Sequence, residues 1–203
     1  EHLQQRFGSN DRLTLVQGDI LSAALPELLH PWLGQFAAFK VVANLPYDLT
    51  SAILRMLLES PARPSLAALT VQWEVAQRIC AKPGDMSLLA VAVQWYSVPH
   101  IITRIPAGAF VPAPKVDSAV LRLEMRPEPV APIPSEEALF RVARAGFGQR
   151  RKQLRNAVSA GLRIQPGETE VILRGAGIDP TRRAETLDLQ EWATLARAFA
   201  ARE

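Results

Sequence analysis

Asn44, Leu45, Pro46 and Tyr47 follow the branched run Val41-Val42-Ala43, and as a group they suit chemistry on a planar amine. Open α/β sheets place ligands at the carboxyl ends of their strands, which is where this tetrapeptide falls. Asn44 offers an amide oxygen as acceptor. Pro46 pushes Leu45 toward an extended conformation and so aims its carbonyl, and Tyr47 offers a flat π-face. Two acceptors and a stacking platform fit a base that carries an exocyclic amino group. Such an amine is a poor nucleophile because its lone pair is delocalised into the ring. Two N–H···O bonds, to Asn44 and to the Leu45 backbone, favour a pyramidal nitrogen and direct the lone pair at an electrophilic methyl group held in line. A strong general base is then unnecessary, because the attacked nitrogen becomes acidic as its new bond forms. The same four residues also suit a plain strand-to-helix turn, so a second signal is needed. Gly18-Asp19-Ile20 offers one: Asp19 can accept from the amino group of a cofactor adenine while the Ile20 N–H donates to a ring nitrogen. An aspartate after a strand serves equally well as a turn or helix cap.

These residues need elements to hold them. Residues 13–16, 39–43 and 66–71 read as strands, and their alternation with helical patterns predicts parallel pairing in an α/β sheet. The opening phrase EHLQQRF reads as helix. Thr50 or Ser51 is placed to cap a helix whose Ile53, Leu54, Leu57 and Leu58 form one apolar stripe. Residues 116–126 alternate as a last, antiparallel strand. Pro127, Pro129, Pro132 and Pro134 then exclude helix and central strand, which predicts a linker at 127–134 between a first unit at 1–126 and a helical second unit at 135–203. In that second unit Ser135 with Glu136 and Glu137 opens a helix faced by Leu139, Val142, Ala143 and Phe147, and Leu154, Val158 and Leu162 mark another. Gly161, Gly167, Gly175 and Gly177 read as turn glycines. So do the G-x-G pairs Gly146/Gly148 and Gly175/Gly177, which follow no strand and make poor dinucleotide fingerprints.

Composition sets the outer bounds. The chain has 203 residues, 48% hydrophobic and 21% charged, which is ordinary globular usage and argues against disorder or a coiled coil. Its longest apolar run, residues 88–93, is far short of the ~20 residues that cross a bilayer, so no membrane association is expected. A single cysteine, Cys80, excludes an internal disulfide and suggests a cytoplasmic location. His2, His30 and His100 lie far apart with no second cysteine, so no metal site is expected. Net charge is only +3, yet residues 138–167 carry seven Lys/Arg and no acid. Arg150, Arg151, Lys152 and Arg155 there read as one to two helical turns of cations flanked by Gln149 and Asn156. Phosphate contacts need such a pattern, although a solvated face has the same look.

Taken together, VQGDIL (16–21), VVANLPYDLTSAIL (41–54), VQWEVAQRICAKPGD (71–85), FVPAPKVDSAVLRL (110–123), GFGQRRKQLRNAV (146–158) and GIDPTRRAETLDLQEW (177–192) resemble the small-subunit ribosomal RNA adenine N6-dimethyltransferases, the KsgA/RsmA type. The likeness runs in order along nearly the whole chain. It implies a Rossmann-like domain using S-adenosylmethionine, followed by a small helical RNA-binding domain. It further implies that Asp19 and Ile20 hold the cofactor adenine, that Asn44 lies beside both the methyl group and the target nitrogen, and that Tyr47 and Phe110 sandwich an extruded adenine. Lys115 and the cations at 150–155 would then meet RNA phosphates. The implied reaction is dimethylation of two adjacent adenosines in a hairpin loop near the 3′ end of 16S rRNA, on an assembling small subunit, by a monomer. Two other readings share parts of the pattern: a large-subunit adenine methyltransferase of the macrolide-resistance type, and a non-catalytic nucleic-acid-binding factor on the same fold. The family's glycine-rich loop does not precede the first strand of this sequence, so the expectation is a first domain lacking its opening strands and a weakened grip on the cofactor.

Overall fold

Branched and small residues that alternate with partly exposed ones build the centre of the sheet in the computed structural model, which describes residues 2–22, 25–33 and 38–202. Strand β1 (Lys40–Asn44) runs parallel to β2 (Leu66–Gln72). Numbering the other two strands in chain order, β3 (Ser97–Ile105) and β4 (Ser118–Met125) add antiparallel pairings, and the sheet order is β1-β2-β4-β3. Every second residue of the two central strands is buried: Ala67, Leu69 and Val71 on β2, and Ala119, Leu121 and Leu123 on β4. A side chain such as leucine contributes about 1.5–3 kcal/mol when fully buried, so these rows fix the register.

Helices α1 (His2–Phe7) and α2 (Leu25–Leu33) precede β1, and α3 (Thr50–Glu59) follows it. The expected stripe of Ile53, Leu54, Leu57 and Leu58 is buried. The expected cap is not formed. Leu49 occupies the N-cap position, already in helical conformation, because the chain turns through 47–49 before the helix begins, and the Thr50 hydroxyl donates to the Pro46 carbonyl at 3.2 Å instead. Helices α4 (Trp73–Ile79) and α5 (Leu88–Tyr96) lie between β2 and β3.

The expected parallel pairing holds for β1 and β2, and the expected antiparallel last strand is β4. One strand expectation is corrected. Residues 13–17 pair with no strand among the described residues, and Leu13, Leu15 and Val16 are exposed. A strand persists only where its N–H and C=O groups meet those of a neighbour, and this segment has none.

Beyond β4, residues 127–134 form neither helix nor strand, and two side chains near the end of the sequence hold their carbonyls: Gln190 donates to Val130 and Arg197 to Pro132. Four helices follow: α6 (Glu136–Phe147), α7 (Leu154–Leu162), α8 (Pro166–Gly175) and α9 (Leu189–Ala200). Ser135 caps α6 by accepting from the Ala138 N–H, as its position predicts, and Asp188 with Glu191 forms a capping box on α9. One apolar cluster runs without interruption from the sheet into these helices, centred there on the fully buried Trp192.

The glycine reading is corrected where glycines lie within helices: Gly146, Gly161 and Gly167 lie inside α6, α7 and α8, not at turns, and Gly175 is the last residue of α8. A Cβ on Gly146 would sit 2.6 Å from the Trp192 ring, and one on Gly161 would sit 2.5 Å from the Ala145 Cβ. Glycine at these positions lets the helix meet its neighbour at close range. Gly177, with φ of +74°, does mark a turn.

Candidate active site

β1 ends at Asn44 and the chain leaves the sheet at once, so the last strand residue and the turn after it face solvent where β2 also ends. The Leu45 N–H donates to the Thr70 carbonyl at 3.2 Å, which ties the turn to the neighbouring strand and buries the Leu45 side chain. The Pro46 carbonyl is spent, accepting from the Leu49 N–H and the Thr50 hydroxyl. By contrast, neither the Asn44 carboxamide nor the Leu45 carbonyl takes part in a hydrogen bond among the described residues. Asn44 is exposed. Two adjacent acceptors are thus left for a ligand, and one of them is fixed by buried packing.

Asn44, Leu45, Pro46 and Tyr47 line a shallow cleft of about 220 Å³ with Phe110, Pro112 and Pro114. Phe110 is 63 residues further along the chain than Tyr47, yet the two rings share this opening without touching each other. Tyr47 is half-buried, and its hydroxyl lies 2.6 Å from that of Ser118, a fully buried residue at the start of β4. Phe110 closes a single 3-10 turn (Ala107–Ala109) and donates its N–H to the Ala107 carbonyl. Asp117 ties that turn down. Its carboxylate accepts from the Ala107 N–H at 2.9 Å and pairs with Arg104 at 2.6 Å, while its own carbonyl accepts from the Trp73 N–H. The Ala107 N–H, and then the Arg104 guanidinium, hold the Asp117 carboxyl below the usual carboxylate range.

Asp117 and Ser118 were assigned no role from the sequence. The available signal was a polar pair at the entry of an alternating strand, with the serine on a buried position.

The remaining expected residues lie elsewhere. Asp19 and Ile20 do not line the cleft. Asp19 sits in an exposed turn and accepts from the Leu21 N–H at 2.9 Å and the Ser22 hydroxyl at 3.3 Å. Lys115 is exposed beside Pro114 and does not line the cleft. The cationic run is not helical where its charges are densest: Arg150, Arg151 and Lys152 occupy the exposed turn between α6 and α7. The helix cannot begin earlier because the first N–H groups of α7 are taken by distant carbonyls, Leu154 donating to Arg182 and Arg155 to Pro180. Arg155 departs further from expectation, since its guanidinium pairs with Glu170 of α8 at 2.7 Å. Glu74 and Arg78, at helical spacing on α4, form no ion pair among the described residues. A larger groove of about 400 Å³ between α3, α5 and α6 carries Arg78, Arg144 and Phe140 over an apolar floor, but it contains neither of the two unspent acceptors. No group of three or more His, Cys, Asp or Glu is placed to hold a metal among the described residues.

Comparison with known proteins bears on this arrangement. A family model described as "Ribosomal RNA adenine dimethylase" matches residues 1–201. The chain belongs to the ribosomal RNA adenine dimethylase family. Among its relatives, the "Ribosomal RNA small subunit methyltransferase A" of Dehalococcoides mccartyi (strain CBDB1) is 43% identical over 198 residues, which are 98% of this chain and 67% of that protein. The chain thus spans about two thirds of that relative's length. Among solved structures, a dimethyladenosine transferase from Plasmodium falciparum superposes with a TM-score of 0.77 at 19% identity, covering 95% of this chain and 75% of that one. The 23S rRNA methyltransferase ErmE superposes with a TM-score of 0.68 at 24% identity, covering 98% and 77%. These two likenesses establish the fold, a Rossmann-like methyltransferase sheet followed by helices.

Proposed function

We propose that this adenine dimethylase family member transfers two methyl groups to the N6 of each of two adjacent adenosines in a hairpin loop near the 3′ end of 16S rRNA, acting as a cytoplasmic monomer on an assembling small subunit. The observation that carries the reading is the cleft whose lining combines two unspent acceptors, at Asn44 and Leu45, with two aromatic rings that do not touch each other. The name of the Dehalococcoides relative supports the choice of the small subunit over the large one.

Membership of this family implies S-adenosylmethionine as the methyl donor, and when bound it supplies an electrophilic methyl group. The chain's own residues fit that chemistry at both ends. Asn44 is exposed at the strand end with its carboxamide unspent, and Asp19 presents an exposed carboxylate with lone pairs beyond those its local turn uses, next to Ile20. Asn44 Oδ1 and the Leu45 carbonyl accept the two amine N–H groups and draw the nitrogen out of conjugation. Tyr47 and Phe110 hold the ring between them, at about 1–3 kcal/mol per stacked base, which offsets much of the cost of extruding it. After one transfer a single N–H remains and one acceptor suffices, so the same pair serves the second methyl group. The released proton passes to water at the exposed rim.

On this reading residues 1–126 form the catalytic domain, 127–134 the linker and 135–203 an RNA-binding domain. The exposed Arg150, Arg151, Lys152 and Lys115 meet phosphates, and recognition rests on RNA shape more than on base edges.

Labelled methyl transfer from S-adenosylmethionine tests the reading with small subunits, large subunits and naked 16S rRNA offered as acceptors. Dimethyladenosine in small-subunit rRNA is the expected product. Labelling confined to large subunits would overturn the assignment in favour of the macrolide-resistance type, and RNA binding without transfer would overturn it in favour of a non-catalytic factor.

A further inference from the structure

Tyr47 and Phe110 come from opposite sides of the sheet's connectivity, one after β1 and the other from the loop between β3 and β4, and neither ring rests on the other. Something else must set the gap between them. The only described hydrogen bond of the Tyr47 side chain goes to the Ser118 hydroxyl, 2.6 Å away, on a residue with no solvent exposure. The next residue back, Asp117, holds the other side: its carboxylate takes the Ala107 N–H, and the Ala107 carbonyl takes the Phe110 N–H. Arg104 locks that carboxylate at 2.6–2.8 Å and lies over the Trp73 ring at 5.0 Å. Trp73 in turn donates its N–H to the Asp117 carbonyl, so the dipeptide is anchored to the point where β2 becomes α4.

We propose that Asp117 and Ser118 are positioning residues that set the gap between the Tyr47 and Phe110 rings and so the angle at which a purine amine reaches Asn44 and Leu45. The proposal rests on the reading that this cleft stacks the target base. Because Asp117 and Ser118 are adjacent at the rigid entry of the central strand β4, a shift of one ring is matched by the other. Both act through the aromatic rings and neither touches the reacting atoms. Loss of a brace therefore misdirects a base that still binds, and misplacement of about 1 Å can cost on the order of 100-fold in rate.

The test is a double-mutant cycle on Tyr47→Phe and Ser118→Ala, read by steady-state kinetics on small subunits and by quenching of 2-aminopurine placed at a target position in an RNA hairpin. Tyr47→Phe keeps the stacking ring and removes only the bond, so it stands in if Ser118→Ala fails to fold. Each single variant is expected to lower kcat about 10- to 100-fold with KM changed less than about 3-fold, and the double variant to be no worse than either alone. Asp117→Asn, which keeps an acceptor for Ala107, is expected to retain most of the rate that Asp117→Ala loses. Normal quenching by the wild type with unchanged kcat in Tyr47→Phe would overturn the brace and leave the stacking reading intact. Additive losses in the double variant would likewise overturn it. Absence of quenching by the wild type would overturn the stacking reading itself, and the brace with it.

Discussion

The Asn44 side chain is exposed and makes no hydrogen bond among the described residues, so its replacement isolates chemistry from folding. Asn44→Ala is expected to lower methyl transfer about 10²- to 10³-fold, the usual cost of losing one preorganised hydrogen-bonding partner of a reacting group, while RNA affinity and thermal midpoint stay at wild-type values. Single-turnover transfer alongside filter binding checks it, and unchanged turnover would remove Asn44 from the mechanism. Asp117 gives a second prediction at this scale. Its carboxyl is held below the ordinary value of 3.8 by Ala107 and Arg104, so the ionised form is favoured in the folded state. That contribution is fully present above the unfolded value and lost as pH falls through the lowered folded one. The difference in thermal midpoint between wild type and Asp117→Asn is therefore expected to be constant from pH 5 to 8 and to shrink below about pH 4. A gap that persists at pH 2.5 would show that the charge is not what holds the loop.

At the scale of elements, the sequence showed what local pattern controls and hid what distant contacts control. β1, β2 and β4 were readable because branched residues alternate over buried rows, and the Asn44 turn was readable because it ends one of them. β3 went unread: as an edge strand containing Pro99, Thr103 and Arg104 with several exposed positions, it has no clean alternation. Residues 13–16 carry the right residues for a strand but have no partner strand among the described residues. The start of α7 depends on carbonyls at 180 and 182, more than 20 residues downstream, which is why four cations were placed on one helix when three of them lie in a turn. Gly146 and Gly161 looked like turn residues because local sequence does not reveal the Trp192 ring or the Ala145 backbone facing them. Their actual role is open to test. Gly146→Ala and Gly161→Ala are each expected to destabilise by about 1–3 kcal/mol through overpacking at a helix contact. Gly167→Ala, in α8 with nothing within 4 Å of the added methyl, is expected to be neutral or slightly stabilising. Denaturant midpoints for the three variants separate close-approach glycines from tolerant ones.

For the whole molecule, net charge is only +3, so any attraction to RNA depends on where unpaired cations gather. Folding sorts the four cations of residues 150–155 into two kinds. Arg155 is committed to Glu170, which also receives Arg174, and these two arginines hold the Glu170 carboxyl below its usual range. Arg150, Arg151 and Lys152 are exposed on the α6–α7 turn and make no ion pair among the described residues. Only the second kind is available to phosphates. Each phosphate contact contributes roughly 0.7–0.9 to the slope of log affinity against log salt, so replacing Arg150, Arg151 and Lys152 by alanine together is expected to flatten that slope by about 2 and to weaken binding most at low salt. Arg155→Ala is expected to leave the slope unchanged and to lower the thermal midpoint instead, because it uncouples α7 from α8. Affinities for a 16S rRNA hairpin measured from 50 to 300 mM salt, with melting curves for the same variants, decide the matter. If Arg155→Ala flattened the slope and the triple variant did not, the turn would have to be given up as the phosphate contact and the helix reinstated.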